Sequence, residues 1–117
     1  MKLQLEKASY EGRWFDFGDG RLKIRPYPAS KSTFAIKDGV VIFFGEQNLD
    51  KFTYCLMAWE GMDAEGKPVE LTKEAKRKVY DFRLGKATIG GAEIQMSDFV
   101  IQKADEMLAE AQEAEKN

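Results

Sequence analysis

The sequence predicts an α+β domain, with antiparallel β-hairpins in the N-terminal half and three α-helices in the C-terminal half. Three observations predict it. Short runs of aromatic and β-branched residues flank glycine turns between residues 13 and 44, which is the hairpin signal. From residue 46 the apolar spacing changes to three and four, the period of a helix. Apolar residues make up 44% of the chain and charged residues 32%, a balance that excludes a disordered polymer. With 117 residues, one domain spanning 1–117 is expected, long enough to bury a core without staples.

RWFDF (13–17) and RLKIR (21–25) are separated by GDG, so they pair as a hairpin. Leu22 and Ile24 alternate with Arg21, Lys23 and Arg25, as a strand with one wet face requires. PYPAS then stops the ladder, because proline supplies no N–H. TFAI (33–36) and VVIFF (40–44) flank KDG, and within 31–48 two readings stand. Ile36, Val40, Phe43 and Gln47 share a helical face, whereas the β-branched run and the Asp38-Gly39 pair favour a second hairpin.

Leu49, Phe52, Leu56 and Trp59, with Cys55 beside them, predict an amphipathic helix over 46–60 that ends at Gly61. The loop MDAEGKPVEL follows. Thr72 is placed to cap a helix over 73–83, with Glu74 against its dipole and Ala75, Val79 and Phe82 as its apolar stripe. LGKATIGGAEIQM contains two glycine interruptions and is expected to form a short strand pair around 88–89 and 93–94. Ser97 caps a last helix over 98–114, whose face is Val100, Ile101, Ala104, Met107 and Leu108. Past Leu108 the stripe is alanine only, so the acidic end 109–117 is expected to fray unless a partner covers it.

The sequence contains no histidine and a single cysteine, Cys55. Ser-His and Cys-His nucleophile systems, histidine acid–base catalysis and the usual zinc sites are therefore excluded. A lone cysteine forms no internal disulfide and fits a reducing compartment. MKLQLEKASYEG has no apolar signal-peptide core, and VVIFF and YCLMAW are too short to span a bilayer. Glu11, Asp16 and Asp19 are carboxylates near aromatics, but a hairpin turn accounts for them more economically than a two-carboxylate hydrolase. GDGR and IGG do not form a phosphate-binding loop, and DAEGKP lacks the spacing of a calcium loop. No catalytic group, cofactor or metal site is expected.

Charge is segregated instead. Between 73 and 86, Lys73, Lys76, Arg77, Lys78, Arg83 and Lys86 stand against Glu74 and Asp81, six against two, an excess of four positive charges. From 105 to 117, Asp105, Glu106, Glu110, Glu113 and Glu115 face only Lys116, an excess of four negative charges. Two solvated helix faces of little energetic worth are one reading. The other is an electrostatic seam, within one chain or between copies, that sets partner register. On that reading the partner-binding residues are Lys73, Lys76, Arg77, Lys78, Arg83, Glu106, Glu110 and Glu113. With a net charge of −2 and no aromatic-studded basic strand, nucleic acid is not the expected partner, nor is a membrane.

The stretch WEGMDAEGKPVELTKEAKRKVYDF (59–82) resembles the middle of tail assembly chaperones of long-tailed bacteriophages and prophages. Trp59 and Gly61 stand where that family has a Trp-x-Gly. Asp63 to Pro68 stand at its acidic "DEDGKP"-like turn, Thr72 at its helix cap, and Val79 to Phe82 at its "YDF"-like close. RLKIRPYPAS (21–30) is similar to the family's "LKIRPLP-S" segment and MSDFVIQKADEML (96–108) to its "DFVLEKA" helix. The resemblance implies a non-catalytic protein that binds the tape-measure protein, with tail-tube subunits as a second partner, in the bacterial cytoplasm. It further implies absence from the finished particle. Self-association is compatible with this reading. The alternative, from another class, is a small prophage-encoded regulator or inhibitor that binds one host protein.

Overall fold

Arg13–Phe17 (β1) and Gly20–Ile24 (β2) form the first hairpin, with Phe17 opposite Gly20 and Gly18 at φ 58° starting the two-residue turn. The computed structural model describes residues 11–31, 34–43 and 47–115. Leu22 and Ile24 are fully buried while Arg21 and Lys23 face outward, as their alternation predicts. After a short 3-10 turn at Ala29–Lys31, Phe34–Lys37 (β3) and Val40–Phe43 (β4) pair antiparallel. Their turn residues Asp38 and Gly39 lie at φ 53° and 79°, so the hairpin reading holds there and the helical one does not. The calls on residues 32–33 and 44–46 lie outside the described residues.

The expected helix over 46–60 is two elements. Gln47–Cys55 is α1, and Leu56–Glu60 is a strand, β5, which pairs antiparallel with β2. The three-stranded sheet therefore runs β1–β2–β5. LMAW has no polar residue, so its period carries no phase, and two tertiary facts decide it. β2 has an open edge that needs hydrogen-bond partners. The carbonyls of the last α1 turn are also taken by outside donors: Thr53 by Lys76 Nζ at 2.8 Å, Tyr54 by Arg25 Nε at 2.9 Å, and Cys55 by the Arg25 N–H at 3.0 Å. These are the groups a continuing helix would have bonded to itself. Gly61 ends β5 rather than a helix, at φ 77°. A side chain at Gly20 would run into the Glu60 carbonyl, so the glycine is what allows β2 and β5 to close here.

Asp63–Ala64 (β6) and Lys67–Pro68 (β7) make a miniature hairpin around Glu65 and Gly66, both at positive φ. It is held by Val69 N–H to the Met62 carbonyl at 2.8 Å and by the Trp59 indole N–H to the Val69 carbonyl at 2.8 Å. Thr72 then caps Lys73–Asp81 (α2), its hydroxyl accepting from the Ala75 N–H at 3.0 Å. Lys86–Ile89 (β8) and Ala92–Gln95 (β9) form the last hairpin across Gly90-Gly91. Met96–Glu115 is α3, so the helix starts one turn-fraction earlier than Ser97 as cap would have it, and Ser97 is buried inside its first turn.

The core joins these layers. Phe17, Leu22 and Ile24 from the sheet meet Phe52, Cys55 and Leu56 from the α1–β5 junction and Phe99, Val100, Ala104 and Met107 from α3. Phe99 lies 5.1 Å from the Phe17 ring and edge-on to Phe15 at 6.4 Å. The architecture is α+β, antiparallel hairpins followed by helices. No helix among the described residues is long and apolar enough to cross a membrane.

Candidate functional site

α2 presents the positive charges identified above, and the structure gives them different roles. Arg77 pairs with Asp81 at 2.8 Å and Lys78 with Glu74 at 3.3 Å, both one turn apart on the exposed face. Lys73 is exposed at the first turn. Lys76 turns inward, where its ammonium donates to the Thr53 carbonyl and places a cation at the C-terminal end of α1. Burial lowers its pKa and the nearby Arg25 guanidinium lowers it further. Lys76→Met is expected to cost about 1–2 kcal/mol, since it removes a charged donor and a dipole partner together. Denaturant titration checks this as a lower midpoint at unchanged slope; an unshifted midpoint would show that Thr53 has no need of it.

The acidic residues of α3 are also dispersed. Glu110 reaches Arg13 of β1 at 3.1 Å, Glu106 pairs with Lys103 at 3.2 Å, and Asp105 pairs with Lys51 of α1 at 3.1 Å. Glu113 is exposed on the last described turns. The Arg13 and Lys51 pairs tie α3 to the sheet and to α1 through exposed contacts, each of small worth alone, while the Glu106–Lys103 pair lies within α3.

The end of α2 differs from its stripe prediction. Val79 is buried and Ala75 half-buried, but Phe82 is 72% exposed and Leu84 49% exposed. The chain turns there through a Schellman motif: the Leu84 N–H bonds the Val79 carbonyl at 3.0 Å and the Arg83 N–H bonds the Tyr80 carbonyl at 3.4 Å. The left-handed residue of that motif, normally glycine, is Arg83 at φ 51°. The unwinding swings Phe82 away from the core, an effect that helical spacing does not contain.

Beside it runs a groove between α3 and the start of α1. Its wide part, about 560 Å³, is lined by Asp98, Ile101, Asp105, Glu106 and Ala109, and its narrow end, about 150 Å³, by Tyr80, Arg83, Asp98 and Ile101. Sequence reasoning placed Ile101 on the apolar face of the last helix and assigned Asp98 to no site. Their place in a groove depends on how α1 and α2 pack, and no local pattern encodes that. A second recess of about 390 Å³ lies between β1 and α3, with Asp16, Thr88 and Lys103 on its rim. Asp16 and Asp19 are exposed on β1 and its turn, and no group of three or more metal-ligating side chains occurs among the described residues. Trp14 is 38% exposed and lies under the Arg21 guanidinium at 4.6 Å. Comparison with protein-family profiles, curated proteins and solved structures gives no match.

Proposed function

We propose that the protein is a phage or prophage tail assembly chaperone that acts by non-catalytic binding of the tape-measure protein, with tail-tube subunits as a second partner, in the host cytoplasm. The observation that carries the reading is the Trp59–Phe82 stretch. Its characteristic residues have backbone work to do. Trp59 ties β5 to Val69, Gly61 ends the strand, Glu65-Gly66 makes the turn, and Thr72 caps α2. Residues of this kind hold a backbone in shape, which supports reading the likeness as one of fold and of a binding role rather than of a catalytic centre. The surface it presents is the outward side of α2, where Lys73, Arg77 and Lys78 stand clear of the core. Charge on such a surface steers and selects a protein partner.

Co-expression with a tape-measure protein followed by pull-down at rising salt tests this reading. Capture is expected, weakening as salt screens charges beyond about 10 Å at 0.1 M. Reversing Arg77 and Lys78 together to Glu is expected to reduce capture and leave the fold intact, since the exposed pairs lost are worth under about 1 kcal/mol. Lys76 is left in place because it holds Thr53. Capture of a host regulator and of no tail protein would favour the alternative class. Capture that ignores the reversal would move the site off α2.

A further inference from the structure

We infer that the end of α2 and the groove beside it form a self-association surface, in which Phe82 of one copy seats in the groove of a second copy and the reverse. Three observations converge on it. Among the described residues Phe82 is the most exposed of the large apolar side chains, and it stands at the end of a helix whose other apolar residues turn inward. An isolated exposed apolar side chain needs no explanation, but the residue after this one, Arg83, lines a recess that it shares with Ile101. Arg83 holds a left-handed backbone conformation that glycine adopts without cost, so this position keeps its side chain against a local penalty of about 1 kcal/mol. Arg83 and Asp98 line the same narrow recess, yet among the described residues neither has an ion-pair partner.

The occupant follows from the surface itself. The recess calls for an apolar group followed by positive charge, because it carries Asp98 beside Ile101, whereas Asp105 and Glu106 of the wider part are already paired with Lys51 and Lys103. Phe82 followed by Arg83 is such a group, and Arg83 itself lines the narrow recess. A knob and its recess side by side on one face are what a two-fold dimer requires, since each copy must give and receive the same contact. In that arrangement Arg83 of each copy meets Asp98 of the other, and two Phe82 rings leave water together.

Sedimentation equilibrium of the full chain, over a concentration series reaching several hundred micromolar (a dissociation constant on the order of 100 µM or tighter), tests the inference directly. The expected result is a monomer–dimer equilibrium that weakens with salt. Phe82→Ser and Asp98→Lys should each raise the dissociation constant by about tenfold or more, with far-UV spectra unchanged. Ile36→Ser, on the β3–β4 turn flank and 69% exposed in the wild type, should leave it unaltered. A monomer at every concentration overturns the proposal. So does a dimer that Ile36→Ser weakens while Phe82→Ser does not, and so does an open ladder of oligomers, which a closed two-fold contact forbids.

Discussion

Leu56→Ala is expected to destabilise the protein by about 2–5 kcal/mol, the range for truncating a fully enclosed leucine whose surroundings do not collapse. Leu56 is completely buried at the point where α1 becomes β5. It is paired across the ladder with Ile24, which is itself completely buried. The register shifts between Lys23 and Ile24, so the side chain is aimed by a bulge as well as by the strand. The same core cluster includes Val100 and Ala104 of α3. Removing three carbon atoms from Leu56 leaves a void inside that core. Denaturant unfolding measures the loss. A change under about 0.5 kcal/mol would mean that the junction is not part of the core.

Alkaline pH is expected to unfold the protein, with Cys55 supplying the largest single share. Burial pushes its thiol from 9.0 up to about 12, and the Arg25 and Lys51 charges offset only part of that. The folded-state value lies above the unfolded one for an acid. The stability is therefore complete below pH 9 and is lost as pH rises toward 12, because the unfolded chain releases a proton that the folded chain keeps. The slope is about 1.4 kcal/mol per pH unit, or about 4 kcal/mol over the whole window. Tyr27, pushed from 10.0 to about 12 by burial and by its hydrogen bond to Asp50, acts in the same direction. Lys76 acts oppositely. Its lowered value makes the unfolded chain bind more protons, so its contribution rises with pH until 10.5 is passed. The steepest net loss is thus expected above 10.5. Unfolding midpoints of the wild type and Cys55→Ala from pH 8 to 11 check this. Parallel curves for the two proteins would remove the thiol from the account.

The hairpins were legible because each is written in a few adjacent residues. Gly18-Asp19, Asp38-Gly39 and Gly90-Gly91 set the turns, and the alternation of Leu22 and Ile24 with Arg21 and Lys23 sets which face is wet. The cap at Thr72 was legible for the same reason, since donor and acceptor lie three residues apart. The candidate site was legible only as charge. Lys76 and Arg77 are neighbouring cations in the helix, yet one holds a carbonyl of α1 and the other an aspartate of its own helix. Which way a lysine turns is settled by what lies opposite it.

Sequence alone determined the α+β class, the order of the hairpins, the three helix starts to within a residue or two, and the lack of histidine chemistry. These rest on short-range terms: turn conformation, capping, side-chain period and the inventory of ionisable groups. Tertiary structure alone decided that Leu56–Glu60 is a strand, that Phe82 faces solvent, and that Asp98 and Ile101 share a groove with Arg83. In each case the local preferences were nearly balanced. YCLMAW suits a helix or a strand, and a residue at the end of a helix stripe is buried or free according to whether the next residue unwinds. The balance was tipped by groups far along the chain: the open edge of β2, the Arg25 and Lys76 donors at the end of α1, and the backbone of Arg83 turning α2 away from the core.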